Sequence, residues 1–130
     1  MTNPFRDQEK FMRACDQSVG DYNEAQYKLY RDLIAEEFKE LQEAVDADDP
    51  VEQLDALLDI LVVTIGAIHS MGADGEGGWK EVMGTNFAKI DKQTGKVRKR
   101  EDGKVLKPLG WTAPDLAPFL KKRNPFNKFS

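Results

Sequence analysis

Two short stretches concentrate carboxylates where a helix should be apolar. The first, LIAEEFKELQEAV at residues 33–45, holds Glu36, Glu37 and Glu40. The second, VEQLDALLDILVV at 51–63, holds Glu52, Asp55 and Asp59. Acids three or four residues apart project side by side from a helix. Two such helices packed face to face build an oxygen cage between them, as helical carboxylate metal sites do. Ligands that are all oxygen, without His or Cys, favour Mg2+, with Mn2+ as the other candidate. A protonated or ion-paired structural acid is the plain alternative for any one of these residues. Inward acids on two neighbouring helices tip the balance toward a metal.

The helix that carries the first set must run from about Tyr22 to Ala47. At roughly 100° per residue, with Leu29 as zero, Leu33, Leu41, Ile34 and Phe38 define one broad apolar face. Glu36, Glu40 and Glu37 fall at about −20°, 20° and 80°, on the side of Leu29 and Leu33. Without a cation between them, three carboxylates there repel one another and lose hydration.

The helix of the second set starts at Asp49-Pro50, an N-cap followed by proline in the first turn. It runs to about Met71 and stops at Gly72. From Ala56 to Ile68 its only charged residue is Asp59, so the segment is expected to be buried on every side. Gly66, two turns past Asp59, permits close backbone approach. His69, the only histidine, lies beyond the acids and reads as structural.

Around this pair stand a first helix over residues 4–17, with Phe5, Phe11 and Met12 as core anchors, and a fourth over about 79–92. GADGEGG at 72–78 reads as a flexible connection. Asp102-Gly103, inside GKVRKREDGKVLKP, signals a hairpin turn. The tail KKRNPFNKFS is basic, with no fixed place in the fold unless Phe119, Phe126 or Phe129 docks on a neighbour.

The chain has 130 residues, 40% of them hydrophobic and 32% charged, which fits one globular domain over residues 1–120 followed by the tail at 121–130. A helical chain of this size often completes its core by oligomerising, so a homodimer or a dimer of dimers is expected. Cys15 is alone, which argues against a disulfide framework and a zinc cluster and fits the cytoplasm. ILVVTIGAI is far too short to span a bilayer. Residues 1–78 carry 6 Lys/Arg against 18 Asp/Glu, and residues 79–130 carry 13 against 5. An acidic half and a basic half suit an anionic ligand held through metal ions; a solvated surface with its charges sorted by chance is the bland alternative. Nucleic-acid binding is not expected, because no motif for it is present and the acidic half opposes it.

At this level of detail the chain resembles a family. EEFKEL (36–41) is similar to the EExxE signature of the all-α nucleoside triphosphate pyrophosphohydrolases, the MazG-like and phosphoribosyl-ATP pyrophosphohydrolase-like proteins. DALLDILVVTIGAIHSMG looks like that family's second metal helix. NFAK (86–89) and REDGKVLKP (100–108) look like the Asn-x-x-Lys and hairpin of its phosphoribosyl-ATP-like branch. The chain departs from the family where ExxD is usual: aligned on Asp59, the Glu position is Ala56. Asp55, at i−4, is the substitute, and Glu52-x-x-Asp55 is a second match to the spacing. The resemblance implies an all-α, four-helix MazG-like bundle with a small C-terminal β-hairpin. It implies that Glu37, Glu40, Asp55 and Asp59 bind magnesium and that Glu36 orients the attacking water or binds a further metal. Asn86 and Lys89 would face the phosphates, with Lys104 and Lys107 adding charge from the hairpin.

The activity implied is magnesium-dependent hydrolysis of (deoxy)nucleoside triphosphates to a monophosphate and pyrophosphate. The nearest rival is the same chemistry on phosphoribosyl-ATP. A non-catalytic acidic helical interaction module is the reading from another class, and it requires neither metal nor pyrophosphate release.

Overall fold

The computed structural model describes residues 3–121. Four α-helices form among them: α1 (Pro4–Ala14), α2 (Glu24–Asp46), α3 (Pro50–Ser70) and α4 (Gly75–Phe87), with a 3-10 turn at Ala117–Phe119. The fold is all-α. The chain divides into two compact units, one holding residues up to Gly75 together with Leu120 and Lys121, the other Glu76–Phe119. The remainder of the basic tail, with Phe126 and Phe129, lies outside the described residues.

In the first unit local chemistry sets the helix ends. Asn3, Asn23 and Asp49 cap α1, α2 and α3, each side chain accepting a hydrogen bond from a first-turn amide. Pro4 and Pro50 stand in the first turns of α1 and α3, where a missing N–H removes nothing. Asp48 closes α2 with φ +52, a left-handed cap that Asp tolerates better than most residues. The connection is only three residues long, so α2 and α3 form an antiparallel helical hairpin.

The core sits toward the C-terminal half of α3. Met12 is fully buried, with Tyr30, Val63 and Ala67 around it and Val19, Tyr27, Leu33 and Ile34 packed against the cluster. Gly66 matters here: a Cβ at that position would overlap the Tyr30 ring. The close approach expected at Gly66 is therefore made, and its partner is an aromatic ring. His69 is buried, with Nε2 2.8 Å from the Phe5 carbonyl oxygen and its ring edge-on to Phe5. It is structural, as its position suggests.

Several expectations fail. Phe11 is exposed, leaving Met12 as the principal anchor of α1. The connection at 72–78 is not a loop, since α4 begins at Gly75. Gly75 lies beneath Phe5, where a Cβ would come within 2.6 Å of the ring, so the glycine answers a packing demand. The C-terminal β-hairpin does not form as strands. Antiparallel pairing in the second unit is reduced to isolated bridges, Ile90 with Val97 and, around a turn with Gly103 at φ +86, Lys99 with Val105. The segment from Lys96 to Lys107 is mostly charged and exposed, and its apolar residues are too few to give a ladder a buried face.

The largest departure concerns α3. Leu54, Leu57, Leu58, Leu61 and Val62 are all 42–59% exposed, and Leu29, Phe38 and Val45 on α2 are 47–57% exposed. The apolar residues surround α3 as expected, but this chain by itself covers only part of them. No helix of the described residues is long and apolar enough to cross a membrane.

Candidate active site

The antiparallel hairpin brings the C-terminal half of α2 alongside the N-terminal half of α3. Glu37 and Glu40, three residues apart on α2, meet Asp55 and Asp59, four apart on α3. Glu40 and Asp55 act on both Glu37 and Asp59. The Glu37 carboxyl is pushed up to about 7, first by desolvation, then by the Glu40 carboxyl beside it and by the charges of Asp59 and Asp55. Asp59 is also raised, by desolvation and then by Asp55 and Glu40. Two carboxylates can hydrogen-bond only when one holds a proton, so these contacts favour protonated forms in the absence of a cation.

Glu37 is only half-buried as a residue, yet its Oε2 is sealed from water with no hydrogen-bond partner. A hidden, unpartnered carboxylate oxygen is costly. Asp59 is also half-buried, less deep than the apolar run around it suggested, because the adjoining face of α3 is open. Among the described residues no Lys or Arg contributes to the shift of either acid. Glu36 is exposed and does not contribute to either shift.

A divalent cation suits this donor set. All four groups offer oxygen, they carry like charges, and Glu37 Oε2 lacks a partner. Among the described residues, however, no three acids, histidines or cysteines are already drawn into a metal-ligand cage. The carboxyls interact as two pairs, Glu37 with Glu40 and Asp59 with Asp55. A bound cation would have to pull the pairs together. Asp55, not Glu52, is the residue beside Asp59. Glu52 is one turn nearer the helix start, and with Glu40, Glu43, Ala44, Asp55 and Ala56 it borders a cavity of about 410 Å³.

In the second unit Lys89 Nζ donates to Asn86 Oδ1 at 3.1 Å. The Lys89 and Lys107 ammonium groups lie 5.0 and 4.8 Å from the centroid of one indole ring, that of Trp111. Lys104 is exposed on the turn, where its backbone N–H donates to Asp102 Oδ1, and its side chain is not part of this group. Trp111 itself is half-buried and donates Nε1–H to the Thr85 carbonyl oxygen at 2.7 Å. No sequence motif singles it out. Its two cationic neighbours are 22 and 4 residues away, at separations that no local pattern reveals.

A helical hairpin with facing acids on both helices is the arrangement expected of the all-α nucleotide pyrophosphohydrolases. The sequence model of the phosphoribosyl-ATP pyrophosphohydrolase family matches residues 6–86. The chain belongs to that family, within the MazG-like superfamily. The match spans both acidic helices and ends at Asn86, so Lys89, Lys107 and Trp111 lie beyond it. No curated protein sequence matches the chain.

Proposed function

We propose that the protein is a magnesium-dependent pyrophosphohydrolase that cleaves the α–β phosphoanhydride of an adenine nucleotide triphosphate, with phosphoribosyl-ATP as the substrate. The family match favours that substrate over plain (deoxy)nucleoside triphosphates, which are the second reading. The observation that carries the proposal is the convergence of Glu37, Glu40, Asp55 and Asp59 on facing helices, with Glu37 Oε2 left unpartnered.

In this reading the four carboxylates hold the metal, whose positive charge would neutralise the triphosphate and activate water. Glu37 and Asp59 must give up the protons that their crowding favours before they can ligate. Glu36, exposed beside them, orients the attacking water. Asn86, Lys89, Lys104 and Lys107 supply the polar and positive groups for the phosphates. Attack by water at one phosphorus breaks the bridging P–O bond and releases a nucleoside monophosphate and pyrophosphate. Mn2+, another oxygen-seeking octahedral ion, is expected to substitute.

We also assign the open face of α3 and α2 to a second copy of the chain, as a homodimer or a dimer of dimers. Nine large apolar residues more than two-fifths exposed, Val51 among them, on two adjacent helices, make a surface of the kind that marks association.

The test is a nucleotide panel, phosphoribosyl-ATP beside ATP and the deoxynucleoside triphosphates, assayed for pyrophosphate with Mg2+, Mn2+ or chelator. Metal-dependent release of pyrophosphate, fastest with phosphoribosyl-ATP, is the expected result. A faster deoxynucleotide would install the second reading. No pyrophosphate from any member would leave the acids to a non-catalytic module.

A further inference from the structure

We propose that Trp111 is a positioning residue that gathers Lys89 and Lys107 into a binding subsite for a polyphosphate chain. The proposal rests on the reading of these lysines as phosphate-facing groups and adds the device that organises them.

Both ammonium groups lie within 5.0 Å of one ring centroid, so they are held no more than about 10 Å apart. Like charges do not gather without cause. Part of the cause is the negative face of the indole, which attracts each ammonium. The ring in turn is fixed by its Nε1–H bond to the Thr85 carbonyl oxygen near the end of α4. Among the described residues neither lysine is in an ion pair. Lys89 bonds only to the neutral Asn86 amide, and Lys107 has only the ring. Two uncompensated positive charges on one scaffold select an anion with at least two charges spread along its length. A pyrophosphate or triphosphate chain has that form; a single carboxylate does not. With two ammonium groups over the ring, Trp111 is not offered as a platform for a base.

The role of Trp111 is preorganisation. A free lysine side chain samples many rotamers, and ordering two of them at the moment of binding weakens affinity. The indole orders them in advance. Removing the ring should therefore weaken anion binding about tenfold although both charges remain.

The experiment is calorimetric titration of the full chain with inorganic pyrophosphate, in chelator and at low salt. Turnover and metal play no part, so it stands or falls separately from the pyrophosphohydrolase reading. Wild type should bind, the Lys89→Gln/Lys107→Gln double variant should not, and Trp111→Leu should bind about tenfold more weakly. Trp111→Phe keeps a ring face but loses the bond to Thr85, so it should recover part of the loss; a purely structural indole, needed only for that bond, would not be rescued by Phe at all. A parallel titration of Trp111 fluorescence in a Trp79→Phe background covers the case in which Trp111→Leu fails to fold. Saturable change with pyrophosphate supports the subsite, and its absence overturns it. Tighter binding of α,β-methylene-ATP than of pyrophosphate would assign the subsite to the substrate's phosphate chain, and equal binding to the released product. Wild-type affinity in Trp111→Leu would remove Trp111 from the proposal.

Discussion

Glu37→Gln should make the metal-free protein more stable, and only where Glu37 is ionised. The rise of its carboxyl from 4.5 to about 7 corresponds to ~3 kcal/mol if felt in full. Much of the residue is open to water, so screening leaves ~1 kcal/mol. The introduced amide has the carboxyl's size, cannot ionise, and can donate to the Glu40 carboxylate, which replaces a repulsion by a hydrogen bond. The sign follows from linkage. A carboxyl whose folded value lies above its unfolded one binds more protons in the native state. Wild type in chelator should therefore gain stability as pH falls from about 7 toward 4.5. The variant lacks that contribution, so its advantage is largest at pH 8 and closes by pH 5. For a unit of this size ~1 kcal/mol moves the melting temperature by about 5 °C. Thermal melts of both proteins at pH 5 and pH 8, with chelator and with magnesium, measure it. Magnesium should reverse the order at pH 8, because ligand-linked stability follows affinity for the native state. A variant less stable than wild type at pH 8 in chelator, or a gap indifferent to pH, would refute the account of crowded carboxyls.

Glu40→Gln should lower pyrophosphate release at least about a hundredfold with the helical signal retained, since metal stabilisation of phosphoryl charge is worth several kcal/mol; near-normal turnover would take Glu40 out of the site. Asp59→Asn should abolish release yet melt in chelator no lower than wild type, because no cation is left unpaired; a loss of ~3 kcal/mol in chelator would restore the ion-paired reading. Leu57→Lys with Leu61→Lys should convert a sedimenting dimer or tetramer to monomer, and a wild-type protein that is monomeric at micromolar concentration would exclude the association surface. Ala56→Leu, which removes no acid, should still reduce the rise in melting temperature produced by magnesium; an unchanged rise would show that helix spacing there is immaterial.

The legible parts of this fold are those written in local chemistry. Asp49-Pro50 announces the start of α3 because a cap and a fixed φ act within a few residues. Gly66 announces a close approach, although the sequence cannot say that Tyr30 fills it. The glycines at 75, 77 and 78 mislead for the opposite reason. Their low helix propensity is visible, while the Phe5 ring that requires Gly75 comes from a distant part of the chain. The pairing of acids on α2 and α3 was legible because i, i+3 and i, i+4 spacing on two consecutive helices needs only their antiparallel packing. The depth of Asp59 was not. A helical wheel shows that α3 is apolar all round, but it does not say whether this chain or another copy covers Leu57 and Leu61. The hairpin signal at Asp102-Gly103 was a true turn without strands, because turn chemistry is local and a ladder needs a face to bury.

The acid displaced by one residue in α3 belongs with the packing around it. Where the resemblance leads one to expect ExxD, this chain has Ala56 and the shorter acid Asp55. Position 55 lies about 40° to one side of Asp59 around the helix, whereas position 56 lies about 60° to the other. Ala56 is buried at 4% exposure, and Ala44 on α2, bordering the same cavity, at 7%. Small residues at a crossing let helix axes approach toward the short end of the usual 8–10 Å. Closer helices are what a shorter carboxylate requires, because Asp55 must reach the Glu37 and Glu40 side with one methylene less than a glutamate has. Its charge does reach Glu37, which it helps to raise. A small side chain at 56 would let the helices come close enough for the shorter acid at 55 to reach across. On that argument the metal affinity of the proposed site would depend on a residue that has no oxygen to offer, which is why the response of Ala56→Leu to magnesium tests the geometry and not the ligands.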